Sequence, residues 1–181
     1  MITIGFLELN SIAAGIYAAD AMCKTAQVKL HTAKSSCPGK YNILISGEVS
    51  AVQSAMKRGH DIAGRNLIDE LVIPRVHDQV LQAINMSGYP EKCESIGVLE
   101  YFTVAASIYG ADAAVKSANV QLIEIRMGTS IGGKSFVTLT GDVSAVETAV
   151  KNGALAAEEN GYLVSKVVIP NPNMQLLKEL F

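Results

Sequence analysis

The chain has 181 residues and a formal net charge of −2, with acidic and basic residues interspersed. It lacks the basic stripe of a nucleic-acid-binding surface, an apolar run long enough to span a membrane and the basic-then-apolar segment of a signal peptide. Its three cysteines form no paired framework, which favours a reducing compartment. We therefore expect a cytoplasmic protein that binds neither nucleic acid nor membrane.

The first half of the chain predicts strands and helices in the order βαββαβ, followed by a short helix. This order is typical of the ferredoxin-like split βαβ plan, an α+β fold with helices on one face of an antiparallel sheet. The predicted strands are Thr3–Leu9, Val28–Lys34, Tyr41–Ser46 and Leu67–Ile73. The predicted helices are Ile12–Thr25, a second that follows the turn Gly47–Ser50 and runs to about Gly64, and Asp78–Ile84.

The second half repeats the first. Ile4–Lys34 and Ile96–Arg126 are identical at 15 of 31 positions, and Gly39–Gly59 matches Gly133–Gly153 at 10 of 21. Strands are predicted from Ser95, Val120, Phe136 and Leu163, helices from Thr103 and Val143, and a loop over Met127–Lys134. The sequence thus predicts two tandem domains, residues 1–85 and 95–181, joined by a short linker at 86–94.

The apolar content exceeds what two small domains need. The hydrophobic fraction is 49% and the mean hydropathy is +0.27, although domains of this size bury only part of their surface on folding. Packing of one domain on the other is one explanation. A large interface between subunits, which is usually more apolar than ordinary surface, is the alternative that we favour.

Several of the repeated segments resemble the signature of bacterial microcompartment shell proteins. The matching segments are Ala19-Asp20-Ala21 with Lys24, Gly47–Val52 and Ile73–His77, and in the second repeat Ala111-Asp112-Ala113 with Lys116 and Gly141–Val146. The resemblance covers almost the whole chain twice. It implies a structural shell protein rather than an enzyme, located in the shell of a cytoplasmic microcompartment.

The resemblance also implies the assembly. A tandem-domain member is expected to form a homotrimer that mimics a hexamer and tiles with other shell proteins. Lys24, Lys116 and Arg75 match the residues that contact the neighbouring tile in this family, whereas the second repeat has Asn171 where an arginine is expected. The alternative for these three side chains is ordinary solvated surface charge.

The loops that line the central pore in this family differ between the two repeats. The first repeat has Ser35-Ser36-Cys37-Pro38-Gly39 before Lys40, and the second has Gly128-Thr129-Ser130-Ile131-Gly132 before Gly133-Lys134. The second loop is longer and has no cysteine. We therefore regard these loops as the place where the function of the two domains has diverged.

Cys37 is the candidate metal ligand. Three copies about one axis would bring three Cys37 thiols together, which suits an iron–sulfur cluster better than zinc, whose structural sites need four ligands. Cys37-Pro38-Gly39-Lys40 is similar to the pore loop of the iron–sulfur-binding tandem shell proteins of propanediol-utilisation microcompartments. The resemblance implies one 4Fe-4S cluster per trimer, ligated by Cys37 of each subunit. Lys34 and Lys40 either offset the cluster charge or pair elsewhere.

Three functions remain open at this point. In the first, the cluster conducts electrons across the shell to a redox enzyme inside. In the second, the pore holds no cluster and passes small metabolites, or else the protein delivers whole clusters to enclosed enzymes. A third, an enzyme or ligand-binding regulator on the same fold, has no supporting residue constellation. Cys23 is expected to serve packing, and Cys93 to have no function.

Overall fold

The computed structural model describes residues 2–86, 90, 93–158 and 160–180. The strands are β1 (Thr3–Leu9), β2 (Lys29–Ser36), β3 (Lys40–Gly47), β4 (Leu67–Ile73), β5 (Ser95–Tyr101), β6 (Val120–Met127), β7 (Ser135–Gly141) and β8 (Leu163–Pro170). The helices are α1 (Ile12–Thr25), α2 (Val49–Ala63), α3 (Asp78–Ile84), α4 (Val104–Ser117), α5 (Val143–Glu158) and α6 (Met174–Leu180). None of the described helices is long and apolar enough to cross a membrane.

The chain forms two compact units, each with a four-stranded antiparallel sheet. Unit 1 comprises Met1–Val76 and Gly128–Gly133, and unit 2 comprises His77–Met127 and Lys134–Phe181. The strand orders are β2-β3-β1-β4 and β6-β7-β5-β8. The predicted βαββαβ fold in the α+β class is confirmed for both repeats. The bounds 1–85, 86–94 and 95–181 stay a prediction, and residues 87–89 and 91–92 of the proposed linker lie outside the described residues.

In unit 1, the core lies between the sheet and two helices. Every residue of β1 is buried, so this central strand is covered on both of its faces. Helix α1 begins after Ser11, whose side chain accepts a hydrogen bond from the Ala14 N–H at 3.3 Å and so satisfies one of the free amides of the first turn. Met22 of α1 and Met56 of α2 pack into the same buried cluster as Leu7 of β1.

Unit 2 repeats this plan with two additional helices, α3 and α6. Thr103 caps α4 by accepting the Ala106 N–H at 3.1 Å. Tyr101 is fully buried, and its hydroxyl donates to the Gly153 carbonyl at 2.9 Å. Burial raises the pKa of Tyr101, so the phenol remains a donor. Helix α3, which follows the first repeat in sequence, belongs to this unit.

Some predicted bounds were wrong near the hairpin turns. Strand β2 extends through Ser35 and Ser36, which pair with Tyr41 and Lys40, so the loop before β3 is three residues rather than five. Strand β7 starts at Ser135, one residue earlier than predicted. Polar serines carry little strand propensity, and it is the cross-strand pairing that keeps them extended.

Candidate functional site

Cys37 lies at the tip of the β2–β3 hairpin. Its side chain is partly exposed and forms no disulfide. The Cys37–Pro38 peptide bond is cis, and Gly39 has a φ of 80°, a left-handed conformation that glycine adopts without strain. The Gly39 N–H closes the turn on the Ser36 carbonyl at 3.0 Å. The turn therefore fixes the backbone on both sides of the thiol.

The loop of the second repeat contacts this hairpin within unit 1. The Cys37 N–H donates to the Gly128 carbonyl at 3.3 Å. Gly133 lies so close that a Cβ atom there would be 2.7 Å from Pro38 Cδ and 2.8 Å from the Cys37 carbonyl oxygen. The structure thus brings together the two loops that the sequence singled out, and it holds them by backbone contacts.

A buried ion pair anchors both loops. Lys40 Nζ lies 2.8 Å from Glu8 Oε1, and the side-chain exposures are 15% and 0%. The same ammonium donates to the Gly133 carbonyl at 3.2 Å. The corresponding pair in unit 2, Lys134 and Glu100, is much more exposed. Lys40 was expected either to offset the charge of a cluster or to pair elsewhere, and in the structure it pairs with Glu8. Lys34 is exposed.

One buried polar atom at this site has no partner within the described part of the chain. Asn42 is buried, its amide donates to Ser36 Oγ at 3.2 Å, and its Oδ1 accepts no hydrogen bond there. An unsatisfied buried acceptor costs about 1–3 kcal/mol. This acceptor belongs to a side chain that bonds Ser36, the residue immediately before Cys37.

The described residues of a single chain do not bring together enough ligands for a metal site. Among the described residues, no group of three or more His, Cys, Asp or Glu side chains comes together. Cys23 is exposed on α1, contrary to a packing role. The thiol of Cys93 lies 3.8 Å from the Ser95 carbonyl and accepts from Thr140 Oγ1 at 3.4 Å. Of the three cysteines, Cys37 is the one that is partly exposed at the tip of a hairpin turn.

The predicted tile-edge residues lie on both units. Lys24 is exposed and pairs with Asp20 at 2.7 Å, whose carboxylate raises the pKa of Lys24. Lys116 pairs in the same way with Asp112 at 2.5 Å, but that carboxylate is nearly buried. Arg75 and its counterpart Asn171 both have positive φ angles, 53° and 46°. The turn after the last strand is thus the same in both repeats although the side chain differs.

Sequence reasoning found the two loops but missed Glu8 and Asn42. The repeat of Glu8 as Glu100, inside strands that are otherwise mostly apolar, was an available signal for a buried pair. Asn42 has no such signal, since its counterpart in the second repeat is Phe136. The remaining predicted loop residues, Thr129, Ser130 and Ile131, lie in the unit 1 segment Gly128–Gly133.

Comparison with known proteins agrees with this architecture. The sequence profile described as "BMC domain" matches residues 3–76 and 95–172. The bacterial microcompartment shell protein PduT of Citrobacter freundii is 44% identical over 177 residues, covering 98% of this chain and 96% of the relative.

Two solved structures are similar. A microcompartments protein from Desulfitobacterium hafniense superposes with a TM-score of 0.90 at 50% identity, covering 98% of this chain and 99% of that one. The fused permuted hexameric shell protein of the RMM microcompartment gives a TM-score of 0.67 at 19% identity, covering 87% and 82% of the two chains. The second likeness supports the fold alone.

Proposed function

Because the chain belongs to the BMC-domain family, in which shell proteins are structural rather than catalytic, we propose that it is a homotrimeric shell tile that holds a 4Fe-4S cluster in its central pore. Its full-length similarity to PduT supports a place in a microcompartment shell. The observation that carries the metal proposal is the Cys37 turn, where a partly exposed free thiol sits in a backbone held by the second loop.

The residues present fit such a group. A single chain contributes one thiol, so a cluster needs Cys37 from three copies, and cysteine sulfur is the ligand that iron–sulfur clusters require. The partnerless Oδ1 of Asn42 agrees with a site that other groups complete. Among the described residues, no group of three or more His, Cys, Asp or Glu side chains offers an alternative metal site.

The chain's own groups would hold and orient the thiol. The Cys37 N–H is bound to Gly128 O and Lys40 is bound to both Glu8 and Gly133, so the loop cannot swing away without breaking these bonds. Because Glu8 has no exposed side-chain surface, breaking its pair would leave a buried charge, which is strongly destabilising. When bound, a cluster supplies one-electron redox chemistry, and the tile would then conduct electrons across the shell to an enclosed redox enzyme.

A pore without a cluster is the alternative function. The Gly128–Gly133 segment contains small residues and four positive φ angles, at Gly128, Ser130, Gly132 and Gly133. Small loops of this kind suit an opening for polar metabolites. In that case Cys37 would only line the passage, and substituting it would change neither colour nor iron content.

The test is anaerobic purification of the full chain, followed by iron and sulfide determination, absorbance and EPR spectroscopy. We expect about four irons for each three chains, as in a 4Fe-4S cluster, and a reversible one-electron potential in protein-film voltammetry. Cys37→Ser should remove iron, colour and potential while the trimer remains. Cys23→Ser is the matched control and should leave all of them unchanged.

Two results would contradict the proposal. An iron-free, colourless trimer after attempted reconstitution would favour the metabolite pore. Iron that persists in Cys37→Ser would place the metal elsewhere.

A further inference from the structure

An open groove lies in unit 1 at the end of strands β2 and β3 that is opposite the Cys37 turn. It is lined by the beginnings of β1, β2 and α2, by the end of β3 and by the turn after β4. Its volume is about 730 Å³, within the size range of small-molecule sites. The groove is therefore large enough for a ligand and is separate from the candidate cluster site.

Two cations line this groove from the two sides of the sheet. Lys29 begins β2 and Arg75 follows β4, the outer strands in the order β2-β3-β1-β4. Three strand spacings place their backbones about 14 Å apart, so the two long side chains can reach a common ligand between them. Neither side chain forms an ion pair with a described residue. The groove also has the carboxylate of Glu48, which is exposed, and positive charge remains in excess.

The backbone fixes Arg75 beside the groove. The next residue, Val76, is fully buried, and its N–H donates to the Ile2 carbonyl at 3.0 Å. Arg75 has a φ of 53°, in the left-handed region that non-glycine residues adopt uncommonly. Asparagine, which is present in the second repeat as Asn171, tolerates this conformation better. The conformation of the turn thus does not explain the arginine, and its side-chain chemistry does.

Hydrogen-bond donors without partners lie near these cations. Thr3 lines the groove and is 3% exposed, and its hydroxyl has no hydrogen-bond partner within the described part of the chain. Its counterpart Ser95 does have one, since it donates to the Gly141 carbonyl at 2.7 Å. Helix α2 begins at the same place, and Glu48 makes no side-chain bond to its first turn, which leaves amides open. Hydroxyl and amide donors beside two cations suit an anion.

The second repeat does not have this charge pattern. Gln121 and Asn171 stand in place of Lys29 and Arg75, and Glu94 stands in place of Ile2. The equivalent positions of unit 2 therefore hold no cation and gain a carboxylate. An anion site of this kind belongs to the first repeat.

We propose that this groove binds a small organic phosphate. The planar guanidinium of Arg75 matches two phosphate oxygens, and Lys29 supplies a second positive charge. A phosphate group carries about two negative charges and three acceptor oxygens at neutral pH, which the two cations and the open donors match, whereas a carboxylate would leave one cation unpaired. Ile2, Val28 and Val49 line the same groove and provide an apolar wall for the carbon part of the ligand.

This inference is independent of the proposed function. The lining residues belong to unit 1, and they lie at the other end of β2 and β3 from Cys37. Iron content therefore tests the cluster, and phosphate binding tests the groove. Arg75 is also a predicted tile-edge residue, so binding is measured on the purified protein in the absence of other shell proteins.

The test is titration of the full-length protein with phenyl phosphate, followed by calorimetry and by the NMR shifts of single amides. We expect saturable binding, with the largest shifts at Thr3, Val49 and Val76. Arg75→Asn should weaken binding about tenfold or more, because hydrogen bonds to charged groups are the stronger ones. This variant should fold normally, since Asn171 adopts the same turn in the second repeat. Lys29→Gln should weaken binding by a smaller factor.

The matched control is Arg58→Gln, which removes an exposed arginine of α2 that is not among the groove residues. It should leave the affinity unchanged. Inorganic phosphate should bind more weakly than phenyl phosphate, and phenol should not compete with either, because the ligand needs both the anion and the apolar part.

Absence of saturable binding, or an equal loss of affinity in Arg75→Asn and Arg58→Gln, would overturn the site. Equal affinity for inorganic phosphate and phenyl phosphate would overturn its assignment to an organic ligand. An iron-free protein that still binds phenyl phosphate through Arg75 would support the groove and contradict the cluster alone.

Discussion

Gly133 controls how closely the second loop approaches Cys37, and replacing it with alanine should disrupt the site. The new Cβ would lie 2.7 Å from Pro38 Cδ and 2.8 Å from the Cys37 carbonyl oxygen. The second of these is a backbone atom, so relief requires the Cys37 turn itself to move. Gly39→Ala is the matched control, because Gly39 has the same φ of 80° but no described atom within 4 Å of the position that a Cβ would take.

Both variants incur the cost of a left-handed backbone conformation, and only Gly133→Ala also incurs the cost of overpacking. A non-glycine residue with this backbone conformation costs about 1–3 kcal/mol, which applies to both. Overpacking adds about 1–3 kcal/mol for Gly133→Ala alone. Since 1 kcal/mol shifts the melting temperature by roughly 2–4 °C in a chain of this size, Gly133→Ala should melt at least about 2 °C below Gly39→Ala.

Thermal unfolding by circular dichroism at one fixed protein concentration measures this difference. In iron-free protein with the Cys23→Ser background, reaction of the Cys37 thiol with a chromogenic disulfide reports the local displacement, and it should be faster in Gly133→Ala than in Gly39→Ala. Equal melting temperatures and equal thiol reactivity would refute the argument that the two loops are held by close contact.

Two further matched pairs test the interior of each unit. Glu8→Gln should destabilise unit 1 by about 3–5 kcal/mol, because it removes the charged partner of the largely buried Lys40. Glu100→Gln should cost no more than about 1 kcal/mol, since the pair of Glu100 with Lys134 is solvated. Urea unfolding measures both losses, and similar values for the two variants would contradict this difference. Tyr101→Phe should cost about 0.5–1.5 kcal/mol by removing the buried hydrogen bond from its hydroxyl to the Gly153 carbonyl. Tyr41→Phe should cost less, because the Tyr41 hydroxyl donates to a partly buried Ala33 carbonyl. The reverse order would show that the buried hydrogen bond of Tyr101 is not what stabilises unit 2.

The repeat made the fold predictable. Identical residues at matching positions indicate the same elements twice, and the predicted bounds of β1, α1 and β4 are those of the structure. The pairing of Ser35 and Ser36 could not be predicted in the same way, because it depends on hydrogen bonds to β3 rather than on the propensity of serine.

The site was predictable in its residues but not in its contacts. Divergence between the repeats marked Cys37 and the loop after Met127, but only the structure puts Gly133 against Pro38 and Lys40 between Glu8 and Gly133. The different burial of α3 and of the described part of α6 was also hidden, since the two helices have similar sequences. Sequence alone does not say which copy of a repeated helix finds its partner within the chain.

The central claim is one cluster shared by three chains, and native mass spectrometry of anaerobically purified protein tests it most directly. We predict a trimer that carries the added mass of one four-iron, four-sulfide cluster and a Cys37→Ser trimer that carries none. A trimer whose mass equals that of three bare chains, or iron bound to single chains, would contradict the account.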